Sequence, residues 1–311
     1  MTVVALSGGV GGAKLALGLQ DILPPGELVV VANTGDDFEH LGLNIAPDID
    51  SVFYALAGLN DTERGWGRAG ETWQCMQALG GLGGETWFNL GDQDLALHLE
   101  RTRRLRSGES LSEVTAALCD AAGIATHILP MSETPVPTIV HTAGGDLAFQ
   151  HYFVRDRCEP VVTGFTHKDA ERAQMPAALL ALQDVEAVIV CPSNPFISIA
   201  PILAVPGMSD WLKSLGAPVV AVSPLIGGQA VKGPTAKMFG ELGMDVTNAG
   251  LVAQYAGLLD GLVLDHADGE DVHDLTVATA VTGTLMQSAE DRRRVAELAL
   301  NLAEAIKEHM E

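Results

Sequence analysis

The sequence has 311 residues, of which 47% are hydrophobic, and its mean hydropathy is positive; this excludes a disordered chain and allows one large α/β unit or two domains. The 40 acidic residues outnumber the 18 basic ones, giving a formal net charge of −22, so nucleic acids and anionic membrane surfaces are repelled and are not expected partners. The four cysteines are widely separated and form no CxxC pair, so neither a zinc site nor a disulfide framework is predicted.

Short runs of β-branched residues predict strands at 2–6, 28–32, 187–191, 218–222 and 261–265. The first run has neither a basic region nor a cleavage site, so it indicates a core strand rather than a signal peptide and predicts a cytoplasmic protein. A loop and usually an apolar-periodic segment follow each run, as is typical of a parallel sheet covered on both faces. The predicted fold class is α/β, with a Rossmann-like, doubly wound and mainly parallel sheet.

The middle of the chain has a different pattern. It is predicted to be helical from about Asp92 to Gly123 and then to alternate as β-strands to Val154, with a hairpin turn at Gly144-Gly145-Asp146. We therefore expect residues 1–311 to form a single catalytic unit, with a core at about 1–91 and 185–311 and an inserted α+β lobe at about 92–184. The last amphipathic segment, Ala289 to His309, is expected to pack on the core.

One stretch, residues 187–209, is uncharged and long enough to span a bilayer. Four prolines would interrupt such a helix repeatedly, so we predict a strand, a loop and a short helix there.

The first predicted strand leads into Ser7-Gly8-Gly9-Val10-Gly11-Gly12-Ala13-Lys14, and a helix is expected to begin near Ala13. Backbone N–H groups at Gly9, Val10, Gly11 and Gly12, with the positive end of the helix, suit a phosphate. The loop is not a Walker A motif, because Leu15 follows Lys14, and the third glycine of a dinucleotide fingerprint is absent. A glycine turn that serves only close strand-to-helix packing is the alternative.

Carboxylates are concentrated after the second strand. Asn33 and Thr34 are followed by Asp36 and Asp37, and then by the segment Pro47-Asp48-Ile49-Asp50. Loops at the carboxyl ends of strands bind ligands in doubly wound sheets, so these side chains are candidates for Mg²⁺ binding, ribose contacts or orientation of an attacking alcohol. A solvated acidic loop is the alternative.

Aromatic residues mark the next segments, Gly65-Trp66-Gly67 and Trp87-Phe88-Asn89, which precede Gly91-Asp92-Gln93-Asp94. Aromatic planes suit a flat heterocycle, although core packing would also explain them, and the aspartates could cap the following helix.

Two later loops complete the candidate site. Ser193 and Asn194 follow the predicted strand at 187–191, and Gly227, Gly228 and Lys232 follow the one at 218–222. Two glycine turns with lysine at one sheet edge could hold two phosphates. Of the six lysines, Lys14, Lys232 and Lys237 lie in or near glycine-rich segments, which favours an anion site.

Taken together, these segments closely resemble the 2-phospho-L-lactate transferase family (CofD) of deazaflavin coenzyme biosynthesis. The resemblance extends over nearly the whole chain through the motifs SGGVGGAKL, NTGDDFEHLGL, PDID, GWG, GDQDLALH, CPSNPFISI and SPLIGGQAVKGP. It implies Mg²⁺-dependent attack by the ribityl hydroxyl of the deazaflavin FO on a guanylated phospholactate or phosphoenolpyruvate, with release of GMP, in coenzyme F-420 biosynthesis. The family also implies a homodimer.

The resemblance also suggests residue roles. Asp50, position 89 and Asp92 would contact the deazaflavin; position 89 is asparagine here, whereas some members carry lysine. The catalytic set would be Asp50, Lys14 and Lys232. Motif position, rather than the resemblance itself, places the guanosine diphosphate at Gly9 to Gly12, Asn33, Thr34, Ser193, Asn194, Gly227 and Gly228. The candidates for Mg²⁺ binding are Asp36, Asp37, Asp48 and Asp50.

Two other functions fit parts of the sequence. A non-enzymatic nucleotide-sugar-binding regulator of the related gluconeogenesis-factor family would keep the phosphate cradle but needs no deazaflavin pocket. A nicotinamide-dependent dehydrogenase is disfavoured by the broken dinucleotide fingerprint.

Overall fold

A computed structural model describes residues 2–231, 233–255 and 257–310. Its strands, in chain order, are β1 (Thr2–Ser7), β2 (Leu28–Ala32), β3 (Phe38–His40), β4 (Leu43–Ile45), β5 (His127–Pro130), β6 (Thr138–Thr142), β7 (Gly145–Ala148), β8 (Val162–His167), β9 (Val185–Val190), β10 (Val219–Val222), β11 (Leu225–Ile226), β12 (Gln229–Ala230), β13 (Gly261–Asp265) and β14 (Ala278–Thr282).

Its α-helices are α1 (Gly9–Ile22), α2 (Pro47–Leu56), α3 (Gln74–Gly81), α4 (Asp92–Arg106), α5 (Leu111–Ala122), α6 (Ala177–Leu180), α7 (Ala200–Leu203), α8 (Met208–Ser214), α9 (Thr235–Glu241), α10 (Asn248–Ala253) and α11 (Ala289–Met310). Short π-helical turns lie at His151–Arg155 and Pro195–Ile199, and 3-10 turns at Ala170–Arg172 and His266–Asp274.

The central sheet has seven strands in the order β14-β13-β10-β9-β1-β2-β5, and all neighbours are parallel. Its strands are nearly continuous apolar runs because helices cover both faces: Val4 and Leu6 face one core cluster, and Val3 and Ala5 face the other. The chain proceeds from β1 towards β2 on one side and later returns to β9 on the other. The predicted doubly wound α/β fold is confirmed, with its switch point between β1 and β9.

Helix α11 packs against α1 on one face of this sheet and buries Val295, Ala296, Ala299 and Ala303. The approach is close: a Cβ added at Gly18 of α1 would lie 2.4 Å from the carbonyl oxygen of Arg292. The predicted packing of the C-terminal segment on the core is confirmed, because small residues on both helices allow this distance.

A three-stranded antiparallel sheet, β7-β6-β8, lies outside the central sheet, and the expected hairpin joins β6 to β7. The boundary predicted for the lobe, at about residue 92, lies too early in the chain. Strand β5 pairs with β2 inside the central sheet. Leu97 of α4 and Cys119 of α5 belong to the same core cluster as Val3 and Ala5. Strand structure was predicted at β5, but the alternation of residues does not tell which sheet a strand joins.

Among the described residues, no single helix is long and apolar enough to cross a membrane; one bent pair, Pro195–Leu203 with Met208–Ser214, reaches that length and composition only when its two parts are counted together. The uncharged stretch at 187–209 forms a strand, a loop and short helices, as predicted.

Candidate active site

The glycine segment after β1 is the first turn of α1, which begins at Gly9 and not near Ala13 as expected. Two of its glycines serve packing. A Cβ at Gly11 would lie 2.4 Å from the carbonyl oxygen of Pro192, and one at Gly12 would lie 2.4 Å from Ser7 Oγ. Gly9, which has a φ of +65°, and Val10 instead line a cavity. The packing alternative therefore holds for Gly11 and Gly12 and does not describe Gly9 or Val10.

This main cavity has a volume of about 510 Å³ and lies at the carboxyl edge of the sheet. Its walls are largely aromatic and apolar, because Trp66, Trp87, Phe88, Phe149 and Phe153 surround it. The volume falls within the range of small-molecule sites. The aromatic segments predicted to contact a flat heterocycle thus converge on one space.

The floor of the main cavity is polar and acidic, with Asp36, Asp48 and Asp50 at its surface. The Asp48 carboxylate accepts hydrogen bonds from the Gly9 N–H at 2.6 Å and from Asn33 Nδ2 at 2.8 Å. It therefore lies at the positive end of α1, where an anion is favoured. The acidic segment is an ordered part of the site and not a solvated loop.

Burial raises the pKa of two of these carboxylates, Asp36 and Asp48. Burial raises the pKa of Asp48 to about 6, although the bonds from Asn33 and Gly9 act in the opposite direction. The pKa of Asp36 is raised well above its usual range, first by burial and then by repulsion from Asp48 and Asp37. Such concentrated like charge is typical of functional sites.

Asp50 is held by a buried network from α4. Arg101, which is 1% exposed, donates from Nη1 to Asp50 Oδ2 at 3.1 Å and from Nη2 to Asp50 Oδ1. Arg101 Nη1 also lies 3.2 Å from His98 Nδ1. Because an arginine only donates, His98 Nδ1 accepts this hydrogen bond, and the other ring nitrogen lies 3.3 Å from Asp94 Oδ1.

Sequence reasoning did not assign Arg101 or His98 to the site. They lie three residues apart on α4, and Asp50 is on α2, so the pairing exists only after folding. Their i, i+3 spacing next to a GDQD segment was the available signal.

Of the two other predicted deazaflavin contacts, Asn89 lines the main cavity and Asp92 does not. Asp92 accepts from the Thr72 hydroxyl and from the backbone N–H groups of Gln74 and Cys75, so it caps α3. The cap of α4 is Glu71, which accepts from the N–H groups of Gln93 and Asp94. Neither Asp92 nor Asp94 caps the helix that follows it.

The predicted nucleotide contacts are distributed unevenly. Asn33 lines the main cavity, and Thr34 is buried beside it. Ser193 Oγ donates to the Gly8 carbonyl at 2.8 Å, and Asn194 Oδ1 accepts from the N–H of Phe196 at 2.9 Å, so both side chains tie the β9 loop to its surroundings.

The second glycine turn is engaged elsewhere. The N–H groups of Gly227 and Gly228 donate to Asp268 at 2.9 and 2.8 Å, and neither glycine lines the main cavity. Lys232 lies outside the described residues. Lys237 pairs with Glu241 and donates to the Pro160 carbonyl, so it holds α9 to the lobe.

Lys14 points away from the main cavity. Its Nζ donates to the Met286 carbonyl at 2.8 Å, and its side chain lines a smaller neighbouring pocket of about 150 Å³. The structure therefore separates Lys14 from the carboxylates with which it was grouped.

The carboxylates are hard oxygen donors of the kind Mg²⁺ prefers, and Asp36 Oδ1 and Asp37 Oδ1 are buried with no hydrogen-bond partner among the described residues. Within the described ranges, no three His, Cys, Asp or Glu side chains are placed together to hold a metal ion. Mg²⁺ commonly takes only one or two carboxylates and fills its shell with water and phosphate oxygens. The donor set fits such an open site and not a closed protein cage.

A sequence model of the family described as 2-phospho-L-lactate transferase CofD matches residues 3–304. The chain belongs to this family. A phosphoenolpyruvate transferase from Streptomyces griseus is 38% identical over 317 residues, covering 99% of this chain and 100% of the relative. A 2-phospho-L-lactate transferase from Methanosarcina mazei is 38% identical over 302 residues, covering 96% and 99%. The predicted family and the predicted enzyme class, a transferase, are confirmed.

Among solved structures, a UPF0052 family protein from Bacillus halodurans at 2.60 Å resolution superimposes with a TM-score of 0.64. It shares 16% sequence identity, and the match covers 96% of this chain and 98% of that one. This similarity establishes the shared fold.

Proposed function

We propose that this transferase moves a phosphorylated three-carbon acid, phospholactate or phosphoenolpyruvate, from a guanosine-diphosphate-linked donor to the ribityl hydroxyl of FO in coenzyme F-420 biosynthesis. The hydroxyl oxygen forms a bond to the phosphorus that carries the acid. The bond from that phosphorus to the bridging oxygen breaks, GMP leaves with the electron pair, and the hydroxyl proton passes to a carboxylate.

The observation that carries this proposal is the juxtaposition of aromatic walls and acidic floor in one cavity of about 510 Å³. A flat tricyclic ring stacks on tryptophan and phenylalanine planes, whereas a polyol chain needs hydrogen-bond acceptors. The deazaflavin ring would lie between Trp66 and Phe153, and the ribityl chain would extend towards Asp48 and Asp50.

Asp50 is our candidate for the group that orients the hydroxyl and accepts its proton. Arg101 bonds to both oxygens of the carboxylate and is itself buried and bonded to His98, so Asp50 is held in place before substrate arrives. Phosphoryl transfer depends mainly on positioning and on stabilising charge, so a fixed acceptor is the appropriate device.

Mg²⁺ is part of the proposal, with Asp36 and Asp48 as the residues at the cavity surface that would hold it. When bound, it would neutralise negative charge on the transferring phosphate. The N–H groups at the start of α1 supply further positive potential at the same end of the cavity.

The proposed donor carries either phospholactate or phosphoenolpyruvate. Relatives named for phosphoenolpyruvate and relatives named for 2-phospho-L-lactate are both 38% identical to this chain, so identity favours neither. The homodimer and the cytoplasmic location implied by the family and the sequence are likewise proposals, which size-exclusion chromatography with light scattering and cell fractionation would test.

The test is to incubate the protein with FO, Mg²⁺ and each guanylated acid and to separate products by chromatography. We expect GMP and an acid-bearing deazaflavin in equal amounts, and no GMP when FO is omitted. Donor binding without GMP release from either acid would instead favour the nucleotide-sugar-binding regulator.

A matched pair of variants tests the deazaflavin pocket. Trp66 and Trp73 each stack 5.0 Å from the Arg64 guanidinium, but only Trp66 lines the main cavity. Trp66→Leu should weaken FO binding about tenfold, measured by FO fluorescence, whereas Trp73→Leu should not. Equal effects would remove Trp66 from the binding site.

A further inference from the structure

The smaller pocket beside the main cavity has its own chemistry. It has a volume of about 150 Å³ and is bounded by α1, α2, the loop after α2 and the start of α11. It shares Val10, Ser51, Tyr54, Trp66 and Gly67 with the main cavity, so the two spaces adjoin along a common wall.

Three cationic side chains from three separate segments line this pocket: Lys14, Arg64 and Arg292. They are three of only 18 lysines and arginines in a chain of formal charge −22. Among the residues that the structure describes, the side chains of the main cavity wall include four aspartates and neither lysine nor arginine. Asp61 and Glu63 also line the smaller pocket, so its cationic side chains exceed its acidic ones by one, whereas the aspartates give the main cavity an acidic lining.

The guanidinium groups retain unused donors. Arg64 Nη2 pairs with Asp61 at 2.8 Å, whereas Arg64 Nη1 and Arg292 Nε are buried and, within the part of the chain that the structure describes, have no hydrogen-bond partner. Asp61 is already engaged, since it also accepts from the N–H groups of Glu63 and Arg64. Buried charged donors without partners are costly, so an anion placed there would be stabilised.

We propose that the pocket formed by Lys14, Arg64 and Arg292 binds the carboxylate of the three-carbon acid while the phosphorus attached to it reacts in the main cavity. This assignment rests on the proposed function. A free carboxylate would be repelled by Asp36, Asp48 and Asp50, and it lies only a few bonds from the phosphorus, so it needs a cationic space that adjoins the reaction site.

Size supports a small group. The pocket has less than a third of the volume of the main cavity and is below the usual range for drug-sized ligands, so a carboxylate fits and a nucleoside does not. An arginine fork recognises the two oxygens of a carboxylate together, which makes Arg64 and Arg292 residues that select the acid.

The experiment compares two probes by titration calorimetry with the full chain: phosphoenolpyruvate, and isopropenyl phosphate, which has a methyl group in place of the carboxylate. We expect the wild type to prefer phosphoenolpyruvate about tenfold. Arg292→Met keeps the apolar stem, removes the charge and should abolish this preference. Arg64→Met should reduce it independently.

The control is Arg293→Met. Arg293 is the next residue on α11 and pairs with Asp21 on α1, outside the pocket, so its loss should leave the preference intact. Circular dichroism checks that each variant is folded.

Equal affinities for the two probes in the wild type, or a preference retained by Arg292→Met, would overturn the assignment. Equal weakening of both probes in Arg292→Met would also overturn it, because the pocket would then bind phosphate. Binding needs no turnover, so failure of this subsite is distinguishable from failure of the proposed function, which is absence of GMP release.

Discussion

Two glycine turns follow parallel strands of the same sheet, one after β1 and one after β10, and both were predicted to hold phosphate. Each has its N–H groups bonded to an aspartate: Gly9 to Asp48, and Gly227 with Gly228 to Asp268. They differ in what lies beyond that aspartate. Asp48 faces the main cavity and Asp268 does not. A glycine turn therefore indicates where a ligand can approach, and the surrounding side chains decide whether a cavity exists there.

The largest expected effect concerns the cavity beside the turn after β1. Asp50→Asn keeps the shape of the side chain but loses the negative charge that Arg101 holds and that would accept the hydroxyl proton. We expect turnover to fall by about 10² to 10⁴ with the fold retained, measured by GMP release and circular dichroism. Wild-type turnover in this variant would remove Asp50 from the mechanism.

The next effect concerns packing at the first turn. Gly11→Ala would bring a Cβ within 2.4 Å of the Pro192 carbonyl and should lower the free energy of unfolding by about 2–3 kcal/mol in urea titrations. Gly240→Ala on α9 is the control, since nothing lies within 4 Å of its added Cβ. A loss of stability at both sites would show that close packing is not the cause.

Asp48, whose carboxylate accepts a hydrogen bond from the first turn, should make the free energy of unfolding depend on pH. Burial raises the pKa of Asp48 to about 6, so its stabilising contribution is present below its unfolded pKa and is lost as pH rises through 6. With a chelator present, the wild type should lose about 2 kcal/mol more than Asp48→Asn between pH 4 and pH 7, measured by chemical denaturation. Parallel curves for the two proteins would contradict this.

A small effect is expected for the hydrogen bonds from the second turn to Asp268. Asp268→Asn should lower the free energy of unfolding by about 1 kcal/mol, because a charged acceptor for two N–H groups becomes neutral. The KM for the guanylated donor should change less than about threefold. A much larger change in KM would show that the second turn takes part in donor binding.

Lys232 can be separated from its turn. We predict that Lys232→Ala weakens donor binding about tenfold in calorimetry, since its position in a glycine-rich motif places a cation where it could bind the guanylated donor. Unchanged affinity would limit donor binding to the first turn.

The sequence predicted the strands that are long and rich in β-branched residues. Strands β1, β2, β9, β10 and β13 all lie where expected. Strand β14 was missed because its pattern is weaker, and β5 was predicted as a strand of the lobe, whereas it pairs with β2 in the central sheet. Position in the sheet, which only folding defines, decided their structure.

The site was predictable where a motif touches the cavity directly. Gly9, Asn33, Asp50 and Asn89 all line it. What could not be predicted is the pairing of side chains distant in sequence, of which Arg101 with Asp50 is the example. Asp92 was misassigned because a helix-capping aspartate and a ligand-binding one look identical in sequence.

The order of strands in the sheet has a consequence for synthesis on the ribosome. Strand β1 is made first, yet one of its two neighbours, β9, is not completed until Val190 has emerged. Throughout that interval the nascent chain presents the apolar segment Val3-Val4-Ala5-Leu6 along an unpaired edge. Such edges recruit other chains, so this protein should depend on chaperones during translation more than a fold whose first strand lies at the margin.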